Sequence, residues 1–190
     1  MLVLASSSPY RRALLDRLAV GYEVCSPDID ETRLDNEAPA EYVARLSREK
    51  AQAVASRYPQ HLIIGSDQAA TLDDEVLGKP GDHSRAREQL RKASGRKVVF
   101  FTGLSLLNSA TGRIQTATER YAVHFRDLSD EQIERYLSNE QPYQCAGSFK
   151  AEGLGIALFE RLEGNDPNSL IGLPLIQLVS MLAQEGVTIP

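Results

Sequence analysis

The chain begins with the apolar run "MLVLA" and then turns polar, through "SSSPYRR", into helical spacing. The apolar run has the length of a short strand. Pro9 opens a predicted helix to about Leu18, with Leu14, Leu15 and Leu18 on its core face. Ser8 is the expected N-cap and Pro9 the first helical residue, because proline lacks the N–H that this position leaves unpaired. "YEVCSP" reads as a second strand ending at Pro27, so the chain starts as a βαβ unit. After the acidic loop "DIDETRLDNEA", a long amphipathic helix is predicted from Pro39 to about Arg57, with Tyr42, Leu46, Ala53 and Val54 on or near one face. "HLIIGSDQAATL" reads as a buried strand interrupted by a polar tetrad, "DDE" as a turn, and "VLGKPGD" as a short strand and loop.

Farther along, "HSRAREQLRKASG" has helical spacing and a stop at Gly95. "KVVFFTGLSLLN", the turn "SATG" and "RIQTATERYAVHF" carry alternating apolar positions and predict a long antiparallel hairpin. Ser129 and an acidic first turn start a helix over "SDEQIERYLSN". "GIALFERLEG" is a further strand candidate, and "GLPLIQLVSMLAQEG" is a last helix stopped at Gly186. A βαβ start combined with hairpins predicts an α/β protein whose mixed, twisted sheet is flanked by helices. No linker or repeat divides residues 1–190, so one domain is expected, with room for a central cleft between two lobes.

Composition narrows the function. The 190 residues are 42% hydrophobic and 25% charged, with a formal net charge of −5, which argues against a general nucleic-acid binder needing a basic face. Cys25 and Cys145 are far apart and belong to no C-x-x-C pair, and no apolar run has the length of a membrane span. The expected compartment is a reducing cytoplasm, with no membrane or nucleic-acid partner.

Several polar positions break the pattern in ways that chemistry explains. Arg11 and Arg12 stand in the first turn of a helix, where positive charge costs about 0.3–1 kcal/mol unless an anion is bound. They read either as part of a phosphate cradle with the serines or as two solvated surface arginines. In "GSDQ", Asp67 follows "LII" and is expected at or just beyond the end of a buried strand. A carboxylate among apolar neighbours is expensive unless paired, metal-bound or protonated, so Asp67 is a functional candidate beside the alternative of a turn aspartate. Asp28, Asp30 and Glu31 in "DIDE" offer hard oxygen ligands for Mg²⁺ or Mn²⁺. Lys50 and Lys79 are candidate anion ligands, and Pro80 holds Lys79 in extended backbone. "CAGSFKAEG", with Ser148, Lys150 and Glu152, and "DPNSLIGLP" are expected as tight, glycine-punctuated loops. The three histidines have no shared metal spacing and no nucleophilic triad is visible, so covalent catalysis is not favoured.

"ASSSPYRRALL", "DIDE", "RLSREKA", "IIGSDQ", "GKP", "CAGSFKAEG" and "DPNSLIGLPL" together resemble the Maf nucleotide pyrophosphatases, in order and spacing, from Leu2 to about Leu182. The resemblance implies a fold like that of inosine triphosphate pyrophosphatases and a metal-dependent cleavage of nucleoside triphosphates to monophosphate and pyrophosphate, often by a homodimer. It makes Asp67 the catalytic proton acceptor and, with Glu31, a holder of the divalent cation. Ser6, Arg11, Lys50 and Lys79 would contact the phosphates. Tyr10, Gln68 and Glu152 stand where family members acting on dTTP and UTP typically carry Arg, Thr and Gln. The trio is similar instead to the subfamily acting on 7-methyl-GTP, although the aromatic there is usually Trp. Physical chemistry agrees: a cationic methylated guanine gains about 0.5–2 kcal/mol against an aromatic face, and a glutamate can accept both N–H donors of guanine's Watson–Crick edge. Alternatives are a pyrophosphatase for another non-standard or pyrimidine nucleotide and a nucleotide-binding regulator of septum formation.

Overall fold

Leu2–Leu4 forms β1, which lies parallel to β2 (Tyr22–Val24) on one side and to β3 (Leu62–Leu72) on the other, with Leu2 opposite Tyr22 and Leu62. This computed structural model describes residues 1–73 and 75–190; Asp74, in the expected "DDE" turn, lies outside them. The remaining strands are β4 (Glu75–Leu77), β5 (Lys97–Asn108), β6 (Arg113–Phe125) and β7 (Phe159–Glu163). They complete a seven-stranded sheet in the order β2-β1-β3-β5-β6-β7, with β4 also paired to β3. Pairs β3/β4 and β6/β7 are antiparallel, so the sheet is mixed. Helices α1 (Pro9–Asp16), α2 (Pro39–Val54), α3 (His83–Ala93), α4 (Asp130–Glu140), α5 (Pro167–Ile171) and α6 (Leu175–Gln184) complete the chain with short 3₁₀ turns. The α/β class expected from the sequence is the class observed.

The chain divides into two compact units. One comprises residues 1–68, 101–119 and 166–190, the other residues 69–100 and 120–165. In the first unit both sheet faces are covered, which is why β1 and the start of β3 read as unbroken apolar runs. Leu2, Leu4 and Ile64 pack with Leu14 and Leu15 of α1 and Leu178 and Leu182 of α6. The alternate residues Val3, Ala5 and Ile63 pack with Ala51 and Val54 of α2. The second unit is centred on Phe100, Phe125, Phe149 and Phe159, whose rings meet edge-to-face at centroid distances of 4.8–5.6 Å.

Several boundaries differ from expectation. Helix α1 ends at Asp16, because Ala19 takes a left-handed φ of 53°. The buried stripe of α2 is Val43, Leu46, Ser47, Lys50, Ala51 and Val54, not the face through Ala53, which is exposed. β3 runs uninterrupted through "GSDQ", so Asp67 sits within a strand and not at its end. The first four residues of the expected "GIALFERLEG" strand, 155–158, belong instead to a 3₁₀ turn, Leu154–Leu158, before β7. The first loop of "DPNSLIGLP" contains the short helix α5.

Helix α2 lies directly on two strands because each has a glycine beneath it. A Cβ on Gly65 of β3 would stand 2.1 Å from the Ser47 carbonyl oxygen, and one on Gly103 of β5 would stand 2.1 Å from that of Val43. Both obstacles are helix backbone, so relief requires α2 to move. Gly65→Ala is expected to destabilise the fold by about 1–3 kcal/mol, read as a lower urea midpoint at unchanged slope. Gly21→Ala, where a Cβ meets nothing within 4 Å, should leave the midpoint unchanged.

Candidate active site

Lys50 belongs to the inward stripe of α2, at helical spacing from Val43, Leu46, Ser47 and Val54. Asp67 lies two residues beyond Gly65 on β3 and therefore projects from the same face, toward that helix. The two side chains meet: Lys50 Nζ donates to Asp67 Oδ1 at 2.5 Å, and both residues are buried. The same ammonium reaches Glu31 Oε1 at 2.9 Å. Glu31 is exposed, but its loop is tied to α2, since Tyr42 Oη donates to the Glu31 carbonyl at 2.8 Å and Arg45 pairs with Glu37 at 2.7 Å. Asp28 and Asp30 of the same loop are exposed, and Asp30 accepts from the Thr32 N–H at 2.8 Å.

Burial raises the Asp67 pKa above the ordinary carboxylate value, and the nearby charge of Glu31 adds to the rise. Lys50 and Arg11 pull it back without cancelling it. Arg11 shows the converse balance: burial lowers the pKa of its guanidinium, while Asp67 and Glu31 raise it.

The two arginines of α1 separate clearly. Arg11 turns inward: Nε donates to the Gly172 carbonyl at 2.8 Å and Nη1 lies 3.4 Å from Ser6 Oγ. Ser6 is itself buried at the end of β1, and its hydroxyl accepts from the Ser8 N–H at 3.1 Å. Ser8 caps the helix as expected, accepting from the Arg11 N–H. Arg12 is exposed. Tyr10, the second residue of α1, is half-buried.

Gln68 follows Asp67 on the strand and so faces the opposite side. Its Nε2 lies within hydrogen-bond distance of three acceptors, the Ser169 carbonyl at 2.7 Å, the Leu170 carbonyl at 3.1 Å and Thr102 Oγ1 at 3.1 Å. Ser66, on the same face, has its hydroxyl within hydrogen-bond distance of the carbonyls of Gly103 at 2.8 Å and Gly172 at 2.9 Å. Ser66, Thr102 and Gly172 escaped the sequence reading; only the polar positions inside apolar strand patterns could have signalled the first two.

In the second unit, Lys79 is exposed on the segment after β4, whose flanks are held by Gln89 donating to the Gly78 carbonyl at 3.1 Å and by the Gly81 N–H donating to the Tyr143 carbonyl at 2.9 Å. Gln89 also accepts from the buried Ser148 hydroxyl at 2.5 Å, so one amide ties the "GKP" and "CAGSFKAEG" segments. Glu152 is exposed on the turn at 151–153. That turn is fastened by Glu140, which accepts from the Leu154 N–H at 2.7 Å and pairs with Lys150 at 3.2 Å. Among the described residues, no group of three or more His, Cys, Asp and Glu side chains is arranged to hold a metal ion. Glu31 and Asp67 both reach the Lys50 ammonium, and one or two such carboxylates fit a hard divalent cation whose shell is completed by water and substrate phosphates.

Fold and site define a class: an α/β protein that buries a lysine–aspartate pair in the first unit, with an arginine from a helix N-terminus contributing to the aspartate's electrostatics. Residues 1–185 match the family model described as Maf-like protein, and the chain belongs to the Maf family. It is 60% identical over 189 residues to the 7-methyl-GTP pyrophosphatase of Pseudomonas aeruginosa, a match covering 100% of this chain and 98% of that protein. Among solved structures it is similar to the Ham1 protein of Staphylococcus aureus, with a TM-score of 0.48 and 16% identity over 66% of this chain and 72% of that one. It is also similar to a Vibrio cholerae protein, with a TM-score of 0.44 and 9% identity over 96% of each chain. Among the described residues no helix is long and apolar enough to cross a membrane.

Proposed function

We propose that the protein hydrolyses nucleoside triphosphates to the monophosphate and pyrophosphate, with 7-methyl-GTP as its preferred substrate. The observation that carries the hydrolytic reading is the Asp67 carboxylate, buried within a strand, raised in pKa and held against Lys50. Such a group is costly to maintain, and perturbed carboxylates of this kind concentrate where protons are moved. The substrate preference rests on Tyr10 and Glu152 and on the full-length likeness to the Pseudomonas enzyme.

In this reading Asp67 accepts a proton from the water that attacks the α-phosphorus in line with the departing pyrophosphate. Lys50 keeps the carboxylate oriented through the 2.5 Å contact and presents positive charge to the phosphates. Arg11 and Ser6 hold phosphate oxygens at the N-terminus of α1, where the helix dipole also favours an anion. A divalent cation, Mg²⁺ or Mn²⁺, held by Glu31 and Asp67, would supply neutralisation of phosphate charge when bound. Lys79 is assigned to the phosphates and Glu152 to the guanine edge by the family resemblance, and Tyr10 to the face of the cationic base. Gln68 acts on specificity through the 169–170 backbone that its amide holds. Cys25 and Cys145, far apart in the sequence and in no C-x-x-C pair, suit the reducing cytoplasm, to which we assign the protein.

The test is a substrate panel with the purified protein and Mg²⁺. An aromatic–cation contact of about 0.5–2 kcal/mol predicts a preference for 7-methyl-GTP over GTP of roughly 2- to 30-fold in kcat/KM. A wider margin is expected over dTTP, UTP and CTP, which lack the donor pair for Glu152. Equal rates or a pyrimidine preference would overturn the specificity. Tight triphosphate binding without metal-dependent turnover would make the protein a binding protein instead.

A further inference from the structure

The loop "DPNSLIGLP" enters that mechanism only through Gln68, yet its backbone meets the side chains of two candidate site residues. Ser169 and Leu170 offer their carbonyls to Gln68, and Gly172 offers its carbonyl to Arg11 Nε. Thr102 and Ser66 donate to the same loop, at Ser169 and Gly172. The orientation of Arg11 is therefore set by a carbonyl 161 residues away in sequence.

What fixes that loop is Asp166. It is 2% exposed, and both carboxylate oxygens are used. Oδ1 accepts from the Asn168 N–H at 2.9 Å and from Asn168 Nδ2 at 2.7 Å, and Oδ2 accepts from the Ile176 N–H at 2.8 Å. One side chain thus caps α5 and binds the first turn of α6, holding both ends of the segment that carries Ser169, Leu170 and Gly172. Its backbone carbonyl also accepts from the Ser169 hydroxyl at 2.6 Å. Asn168, in turn, accepts from Arg17 Nη1, just beyond α1, at 2.5 Å. At Gly172 the backbone takes a φ of 126°, and a Cβ there would lie 3.5 Å from Arg11 Nε, so the guanidinium packs against a position that strongly favours glycine.

We propose that Asp166 is a positioning residue for the reaction: its carboxylate holds the 169–172 backbone, whose Gly172 carbonyl aims the Arg11 guanidinium at the substrate phosphates. The proposal rests on the reading of Arg11 as a phosphate ligand. A neutral amide at 166 retains one acceptor but turns an NH₂ or loses an acceptor toward a backbone N–H, loosening one end of the segment.

The test is a double-variant cycle in the full-length protein with 7-methyl-GTP and Mg²⁺, reading kcat and KM separately. Arg11→Met alone should raise KM about tenfold or more; if it leaves both constants unchanged, the Arg11 reading fails and the proposal with it. Asp166→Asn should raise KM roughly five- to tenfold with a smaller change in kcat, and should add less than twofold in the Arg11→Met background. Full loss in both backgrounds would reduce Asp166 to a purely structural residue and overturn the proposal, as would no loss in either. Should Asp166→Asn fail to fold, Asn168→Ala removes a side-chain donor to Asp166 and the Arg17 contact while leaving the backbone donors. It is expected to raise KM two- to threefold only when Arg11 is present, and additive behaviour there overturns the proposal equally.

Discussion

Asp67→Asn is expected to bind 7-methyl-GTP within a few-fold of the wild-type affinity and to release pyrophosphate about 10²–10⁴ times more slowly, the usual worth of a positioned proton acceptor. The substitution keeps the shape of the side chain and an oxygen for Lys50 Nζ, so the 2.5 Å contact has a neutral replacement and the site stays assembled. What disappears is the ability to take a proton, together with the charge that, with Glu31, would hold the divalent cation. The pH profile gives an independent sign. Asp67 has its pKa raised by burial, so as pH falls the wild type becomes protonated, and loses turnover, above the ordinary aspartate midpoint of about 3.9. Lys50 and Arg11 both hold that pKa down, so Arg11→Met should move the acid limb of kcat to higher pH, while Asp67→Asn should lack that limb. Pyrophosphate release under single-turnover conditions separates binding from chemistry. A wild-type rate in Asp67→Asn would remove Asp67 from the mechanism.

Local signals made much of the molecule legible. Ser8–Pro9 opened α1, and Ser129 opened α4 with both halves of a capping box formed with Gln132. Alternation over residues 97–125 located β5 and β6, which are neighbours in the sheet. The departures at the site share a cause. The expectation of Asp67 at a strand end follows the usual place of ligand chemistry in open α/β sheets, whereas here Ser66, Asp67 and Gln68 remain inside β3 because all find partners from other elements. Those partners lie 17 to 106 residues away, and no local period encodes them. Asp166 was hidden for the same reason: a loop aspartate before proline announces a cap, but not that the capped segment lies against Arg11.

The first unit also explains how one strand serves two tasks. The two-residue period of β3 sends Gly65 and Asp67 toward α2, and Ser66 and Gln68 toward the 169–172 backbone. Gly65 is needed because α2 must approach closely enough for Lys50 to reach Asp67. A bulkier residue there would lift the helix and weaken the pair before any catalytic residue changed.

Lys50→Met is the substitution expected to cost most in stability. Removing one partner of a buried pair typically costs 3–5 kcal/mol, because the remaining charge has lost its compensation. The Glu31 contact adds little, since Glu31 is exposed and well solvated. Asp67 can escape by taking up a proton, and this fixes the sign of the pH dependence. Its folded pKa is already raised, and losing Lys50 raises it further above the unfolded value. A carboxyl with a raised pKa destabilises the fold above that pKa, and the penalty fades as pH falls toward the unfolded value. The deficit relative to wild type should therefore be near ~3 kcal/mol at about pH 8 and clearly smaller at about pH 5, measured by urea unfolding. Adding Asp67→Asn removes the orphaned charge, so the double variant should recover most of the loss at the higher pH. A deficit independent of pH, or a double variant no more stable than Lys50→Met, would mean that the pair is not an interacting buried ion pair and that Lys50 contributes by packing alone.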